Sequence, residues 1–376
     1  MKRFSHARRF CALTLLLILS LLFTSCAGPA KRPAGDGRGA GPVPAGTGAA
    51  PSPAGTGAPS AEDEELQFLN GNPWSKDARI EKLPVYRNPF YETRDIPPAY
   101  FKKAALALEA QDIAKSLGLV VTDMTYESYA SFQPYLRPEE ADEARQVYAQ
   151  TDKAIIGITL SCTEVSFHTP QKLPEGFALK DGTLPREDML RLLSALAEEF
   201  GACLGYEKPV PAILTSGSFN GSPSYTYIVY DGAGDITEQI LGYSFDYTTF
   251  HISGEGLRGF RKYHAPERYK NLGDYEIISW QEAQEMLISG DCRTPFAFDE
   301  LEGRPVAGEQ IAHVELVYRV QNEAEFLMPY YRFHVKFDAG EFDDIAADAY
   351  YEWYYVPAVR NYEEYGFIAN LTLLRW

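Results

Sequence analysis

The chain has 376 residues, 45% hydrophobic and 13% aromatic, with 52 acidic against 35 basic side chains and a net charge of −17. That apolar content argues against a disordered chain and for globular packing over most of the length. The acidity argues against nucleic acid and anionic headgroups as partners of the folded part, because both repel a negative surface. Cationic and divalent-metal partners remain compatible with it.

The chain opens MKRFSHARRFCALTLLLILSLLFTSC. Lys2, Arg3, Arg8 and Arg9 form a basic start, and Phe10 to Phe23 is an apolar run of 14 residues. The run is too short for an ordinary membrane-spanning helix. Small residues Thr24 and Ser25 then precede Cys26. The pattern resembles the bacterial lipoprotein signal, with Phe23 where Leu is usual. The resemblance implies that residues 1–25 are a cleaved signal peptide and that the Cys26 thiol carries a diacylglyceryl group. It also implies an anchor in membrane lipid at the outer face of the cytoplasmic membrane, facing the cell wall, since two acyl chains hold stably where one is marginal. A plain secretory signal is the alternative. Residues 26–61 hold the lipidated Cys26 and an Ala/Gly/Pro-rich linker. Almost without large apolar side chains, this stretch is expected to be a disordered tether, with a span of roughly 30–35 Å. The remainder, residues 62–376, carries −23.

In the folded part, LPVYRN is expected as a short edge strand. Three helices are predicted, each followed by strand-like sequence. PAYFKKAALALEAQDIAKSLG (98–118) repeats apolar residues at Leu106, Ala110, Ile113 and Leu117, and Gly118 can end it. PREDMLRLLSALAEEFGACLG (185–205) places Met189, Leu192, Leu196 and Phe200 on one stripe, with Glu187 and Asp188 in the favourable first turn. SWQEAQEMLISG (279–290) carries a Ser279-x-x-Glu282 capping box, apolar Ala283, Met286 and Leu287, and a closing Gly290. The stretch 224–253 reads as strands joined by a DGAGD hairpin turn. A helix followed by antiparallel strands, about three times over, gives an α+β fold of helix-on-antiparallel-sheet modules. The expected boundaries are an N-terminal module at 62–180, a middle module at 181–272 and a C-terminal module at 273–376.

The last module carries a second resemblance. Ile278, Ser279, Glu282 and Ala283, then Leu316 and Tyr318, then Pro329, Tyr331, Arg332 and Phe333, then Val356 and Ala358 follow a shared pattern. It resembles the C-terminal part of exported Firmicutes proteins of PepSY-like architecture, and regulatory proteins of the YycI and YycH type. Those proteins have a spanning N-terminal helix where this chain has its lipoprotein-like signal. The resemblance implies a non-enzymatic extracytoplasmic module, without cofactor, that binds or regulates another envelope protein.

Candidate chemistry falls in a few places. HVELVYRV (313–320) and YYRFHVKF (330–337) alternate, which puts His313, Glu315 and His334 on one face. Two imidazoles and a carboxylate suit zinc. Arg319, Arg332 and Lys336 share that face and would repel a cation, so the expectation is the solvated side of a hairpin. In YYEWYYVP (350–357), Tyr351, Trp353 and Tyr355 point away from Tyr350 and Tyr354. They form either a partner- or cell-wall-glycan-binding face or a strand buried on both sides. GEGLRG (254–259) fits a dinucleotide fingerprint in letters only and reads as a turn. SGSFNGS (216–222) reads as a loop. Asp338, Glu341, Asp343, Asp344 and Asp348 read as a solvated acidic loop, since Gly340 and Phe342 break the calcium-loop register. Cys162, Cys203 and Cys292 allow one disulfide and a free thiol, or three buried thiols.

Overall fold

A computed structural model describes residues 71–88, 101–127, 143–177, 179, 184–215, 219–220, 225–264, 269–292, 304–319, 324–338 and 349–367. The expected signal 1–25, Cys26 and the expected linker to residue 61 lie outside the described residues, as do Glu341, Asp343, Asp344 and Asp348. The order begins with β1 (Lys82–Arg87), β2 (Phe101–Lys102), α1 (Lys103–Ser116), β3 (Val121–Glu127), β4 (Glu143–Ala144), β5 (Gln146–Thr151), β6 (Ala154–Ile158) and β7 (Cys162–Gln171). Then come α2 (Arg186–Glu199), α3 (Gly201–Leu204), β8 (Pro209–Thr215), β9 (Phe219–Asn220), β10 (Tyr225–Asp231), α4 (Ile236–Phe245), β11 (Tyr247–Ser253), β12 (Gly256–Tyr263) and β13 (Lys270–Glu276). The chain closes with α5 (Trp280–Ser289), β14 (Ile311–Tyr318), β15 (Phe326–Leu327), β16 (Pro329–Asp338) and β17 (Ala349–Pro357). Helices packed on antiparallel sheets make the class α+β.

Among the described residues the largest sheet has eight strands in the order β3-β5-β6-β7-β12-β11-β10-β8. One face is apolar because alternate residues point the same way. Val147, Ala149, Ile156, Ile158, Val165 and Phe260 are wholly buried there, against Leu106 and Ala110 of α1 and Leu192 and Leu196 of α2. α1 ends where Leu119 N–H donates to the Ala114 carbonyl at 2.8 Å and Gly118 takes a φ of 67°. The GEGLRG stretch forms the β11–β12 hairpin and the start of β12. Two of its glycines, Gly256 and Gly259, serve close backbone approach. A Cβ at Gly256 would stand 2.2 Å from the Gln171 carbonyl oxygen, and one at Gly259 only 2.0 Å from that of Val165. The β12–β7 register shifts between Leu257 and Gly259, as expected where a glycine marks a bulge.

Several expectations are corrected. Residues 236–245, read as strand, form α4. Asp235 caps it, accepting from Glu238 N–H at 3.0 Å while the Glu238 carboxylate accepts from Asp235 N–H at 2.8 Å. DGAGD is therefore a strand-to-helix loop. The Asp-x-x-Glu signal was legible; the β-branched and aromatic content of ITEQILGYSF outweighed it in the reading. β1 is not an edge strand. It lies between β13 and β15; Pro84 stands opposite Asp274 of β13, and its carbonyl accepts from the Tyr318 hydroxyl at 2.7 Å. The sheets also run across the expected module boundaries. The β7–β12 pair joins strands of the first two modules, β1 pairs with β13, and β9 pairs with β17.

The order of the four-stranded sheet is β14-β16-β17-β9. One face carries Val314, Leu316, Tyr331, Phe333, Val335 and Val356, packed with α5 through Ala283 and Leu287. The opposite face packs on Ile228 and Tyr230 of β10 and Tyr243 of α4. The sheet is thus covered on both sides.

The glycine geometry gives a direct test. Gly259→Ala is expected to destabilise the protein by about 1–3 kcal/mol, since the Val165 carbonyl is backbone and cannot step aside cheaply. Gly254→Ala, with nothing within 4 Å of its added Cβ, is expected to be near neutral. Urea denaturation of both variants checks this. Equal stabilities would contradict it.

Candidate functional site

The register of β14, β16 and β17 brings the sequence-predicted histidines and glutamate together. Glu315 pairs with Arg332, His313 with His334, Trp353 with His334 and Tyr355 with Arg332. Glu315 Oε2 accepts from Arg332 Nε at 2.8 Å, from a second Arg332 guanidinium nitrogen at 2.5 Å, and from His334 Nε2 at 3.0 Å. The expected solvated face is the correction here. Glu315 is 3% exposed, Arg332 7% and His334 0%, because β10 and α4 cover them.

Charge in that interior is balanced locally. Burial alone would raise the Glu315 carboxyl, but the Arg332 guanidinium reverses this and holds it well below the usual carboxylate range. Burial would lower Arg332; the Glu315 charge raises it instead. Burial drives His334 down to about 4, against its hydrogen bond to Glu315, and burial also lowers His313. At neutral pH both imidazoles are therefore uncharged, and His334 serves Glu315 as an Nε2–H donor. Its Nδ1 is buried without a hydrogen-bond partner. Among the described residues no group of three or more His, Cys, Asp or Glu is placed to hold a metal ion. The carboxylate that zinc would need is already engaged by Arg332.

The aromatic strand is buried on both sides. Tyr351 is 1% exposed, Trp353 7% and Tyr355 4%. Each of these three rings lies beneath a cation. Arg332 stands 4.3 Å from the Trp353 ring, Arg319 4.9 Å from Tyr355, and Lys336 5.7 Å from Tyr351. These faces are engaged within the protein, so they offer a sugar ring no open stacking surface. Cys162, Cys203 and Cys292 are each partly exposed and form no disulfide with one another among the described residues, so neither that pairing nor three fully buried thiols is found.

An open groove lies elsewhere, between residues 74–82 and the start of α5. It encloses about 580 Å³. It exists because two segments part company. Ile277 N–H still donates to the Glu81 carbonyl at 3.0 Å, and beyond that point residues 78–80 diverge from Ser279 and Trp280. The floor is apolar, formed by Trp74, Ile277, Ile278 and Tyr331. Trp74 meets Tyr331 edge-on at 5.7 Å, and the Tyr331 hydroxyl donates to the Ile278 carbonyl at 2.9 Å. The rim is charged. Lys76 lies 4.7 Å from the Trp280 ring, and Arg360 bonds Glu282 at 3.2 Å. The predicted capping box is in place, with Ser279 N–H donating to Glu282 at 2.7 Å, and that bond together with Arg360 lowers the Glu282 pKa. An apolar floor under a polar rim is the ordinary build of a recognition site. Sequence reading missed this groove. Its walls are almost 200 residues apart in the chain and are brought together by β1–β13 pairing; the Ser279 capping box was its local signal in the sequence.

No family model matches the chain, and no curated protein matches it. Among solved structures, it is similar to an uncharacterized protein from Eubacterium rectale, with a TM-score of 0.33 and 12% identity over 74% of this chain and 84% of that one. No described helix is long and apolar enough to cross a membrane.

The buried cluster predicts two behaviours. His334 in the folded state titrates near 4 instead of 6.5, so the unfolded chain takes up its proton first as pH falls. Stability is then full above pH 6.5 and declines towards pH 4, by on the order of 3 kcal/mol from this residue. Glu315, lowered on folding, adds a further loss below its ordinary 4.5. Denaturant titrations between pH 7.5 and 4 check the slope, and His334→Phe is expected to flatten its upper part. At pH 7, Arg332→Met is expected to cost about 3–5 kcal/mol by stranding Glu315, and Glu315→Gln in the same chain to recover part of it. Additive losses would contradict the cluster.

Proposed function

We propose that this chain is a lipid-anchored extracytoplasmic protein without catalytic role, which binds or regulates another envelope protein through the groove beside α5. The groove carries the reading. It is open to solvent, apolar at its floor and charged at its rim, and one of its walls, Glu276–Glu282 with Tyr331 and Arg360, belongs to the module whose sequence resembles exported regulatory proteins. The lipoprotein-like signal and linker add the anchor: a tethered domain meets partners in the same membrane at raised effective concentration. The stretches 62–180, 181–272 and 273–376 are read as about three copies of one helix-on-antiparallel-sheet unit, the middle one with the added helix α4 and with strands pairing across the boundaries.

Two experiments test this. Metabolic labelling with an alkyne fatty acid is expected to tag the full-length chain, and Cys26→Ser to abolish the tag and release the protein into the medium; a tag surviving the substitution would refute the anchor. A photo-crosslinking residue at Gln281 is expected to capture one reproducible envelope protein in cells, which the same residue at exposed Lys172 does not. Identical captures from the two positions, or none, would count against the groove. Wall fragments captured without protein would favour the glycan-binding alternative.

A further inference from the structure

The groove's charge is unevenly distributed. Lys76 stands at the Trp280 end and Arg79 also lines the groove, and neither has a carboxylate at ion-pair distance among the described residues. Lys76 is held over the Trp280 ring, while the nearby Glu282 is taken up by Arg360 and the Ser279 amide. The opposite end is mixed, with Lys82, Glu81 and Glu276. Two cations that meet no described carboxylate, on the lining of one apolar-floored slot, are unexpected in a chain of net charge −17. Their long side chains could pair with a described acid such as Glu282, and among the described residues they do not.

Resting on the groove reading above, we infer that the occupant is an extended peptide segment of a protein partner bearing acidic side chains. Its carboxylates meet Lys76 and Arg79, and its apolar side chains lie on Trp74, Ile277 and Tyr331. The planar Arg79 guanidinium offers a carboxylate two parallel donors, and Lys76 a mobile point charge. The shape favours an extended chain, because the slot lies where two backbone segments leave a hydrogen-bonded pair, so its walls run along a strand direction. Apolar contact supplies affinity, and the rim cations supply selectivity and speed of encounter.

The test uses the full-length lipidated protein in detergent micelles. The probe is an acetylated, amidated ten-residue peptide alternating aspartate with leucine and phenylalanine; its partner probe has lysine for aspartate. The aspartate peptide is expected to bind at least tenfold tighter, with the margin shrinking as salt rises. The Lys76→Glu, Arg79→Glu double variant is expected to lose at least tenfold for the aspartate peptide, and Lys172→Glu to lose none. Both positions are exposed, so an unchanged melting temperature is expected to show that the fold is intact. Equal binding of the two peptides, tighter binding of the lysine peptide, no binding of either, or indifference to the double variant would each overturn the inference. If Gln281 still crosslinks the same protein in cells carrying the double variant, the groove stands and its acidic occupant falls. If the unsubstituted chain captures nothing from Gln281, the groove reading itself fails.

Discussion

A carboxylate sealed between two layers must be neutralised where it stands, and Glu315 is in that position. Arg332 lies directly across the β14–β16 ladder and reaches it with two nitrogens, and His334 adds a third donor one alternation further along the same strand. Antiparallel pairing makes this possible, because residues on one face of neighbouring strands stand a short side-chain length apart. The pair allows the second face of the four-stranded sheet to be covered by Tyr230 and Tyr243, and so allows the layers to close. Trp353 and Tyr355 complete the seal by lying against Arg332 and Arg319. An ion pair in such a place is weak evidence for net stability, but removing one partner is costly.

The opposite face of the same sheet leads to the groove. Tyr331 belongs to the apolar alternation of β16, and its ring carries the floor contact with Trp74 while its hydroxyl holds the Ile278 carbonyl just ahead of α5. The capping box fixes where that helix begins, and Arg360, beyond β17, ties Glu282 in place. The groove walls therefore rest on the sheet and on a capped helix, which hold the rim side chains at set positions for recognition.

Backbone approach is the other constraint. The β7–β12 contact joins strands of the first two expected modules into one sheet, and it tolerates only glycine at 256 and 259. The letters of a nucleotide fingerprint arise here from carbonyl oxygens of a neighbouring strand.

By itself, the sequence determined the local features. Periodicity placed α1, α2 and α5, and the Ser279 box and Gly290 marked the ends of α5 to within a residue, because capping is a short-range hydrogen-bond pattern. Alternation assigned His313, Glu315 and His334 to one face, and Tyr351, Trp353 and Tyr355 to one side of their strand. What alternation cannot show is what lies over a face. Tertiary structure decided that the polar face is buried, since the covering residues Tyr230 and Tyr243 come from some 70 or more residues earlier in the chain. It decided that β1 is central and that its pairing with β13 opens a groove between residues 74–82 and α5. It also decided that ITEQILGYSF is a helix, where a cap and packing against β10 and β14 override strand-favouring composition. Contacts across such separations are set by the packing of whole layers, and no short window of residues carries them.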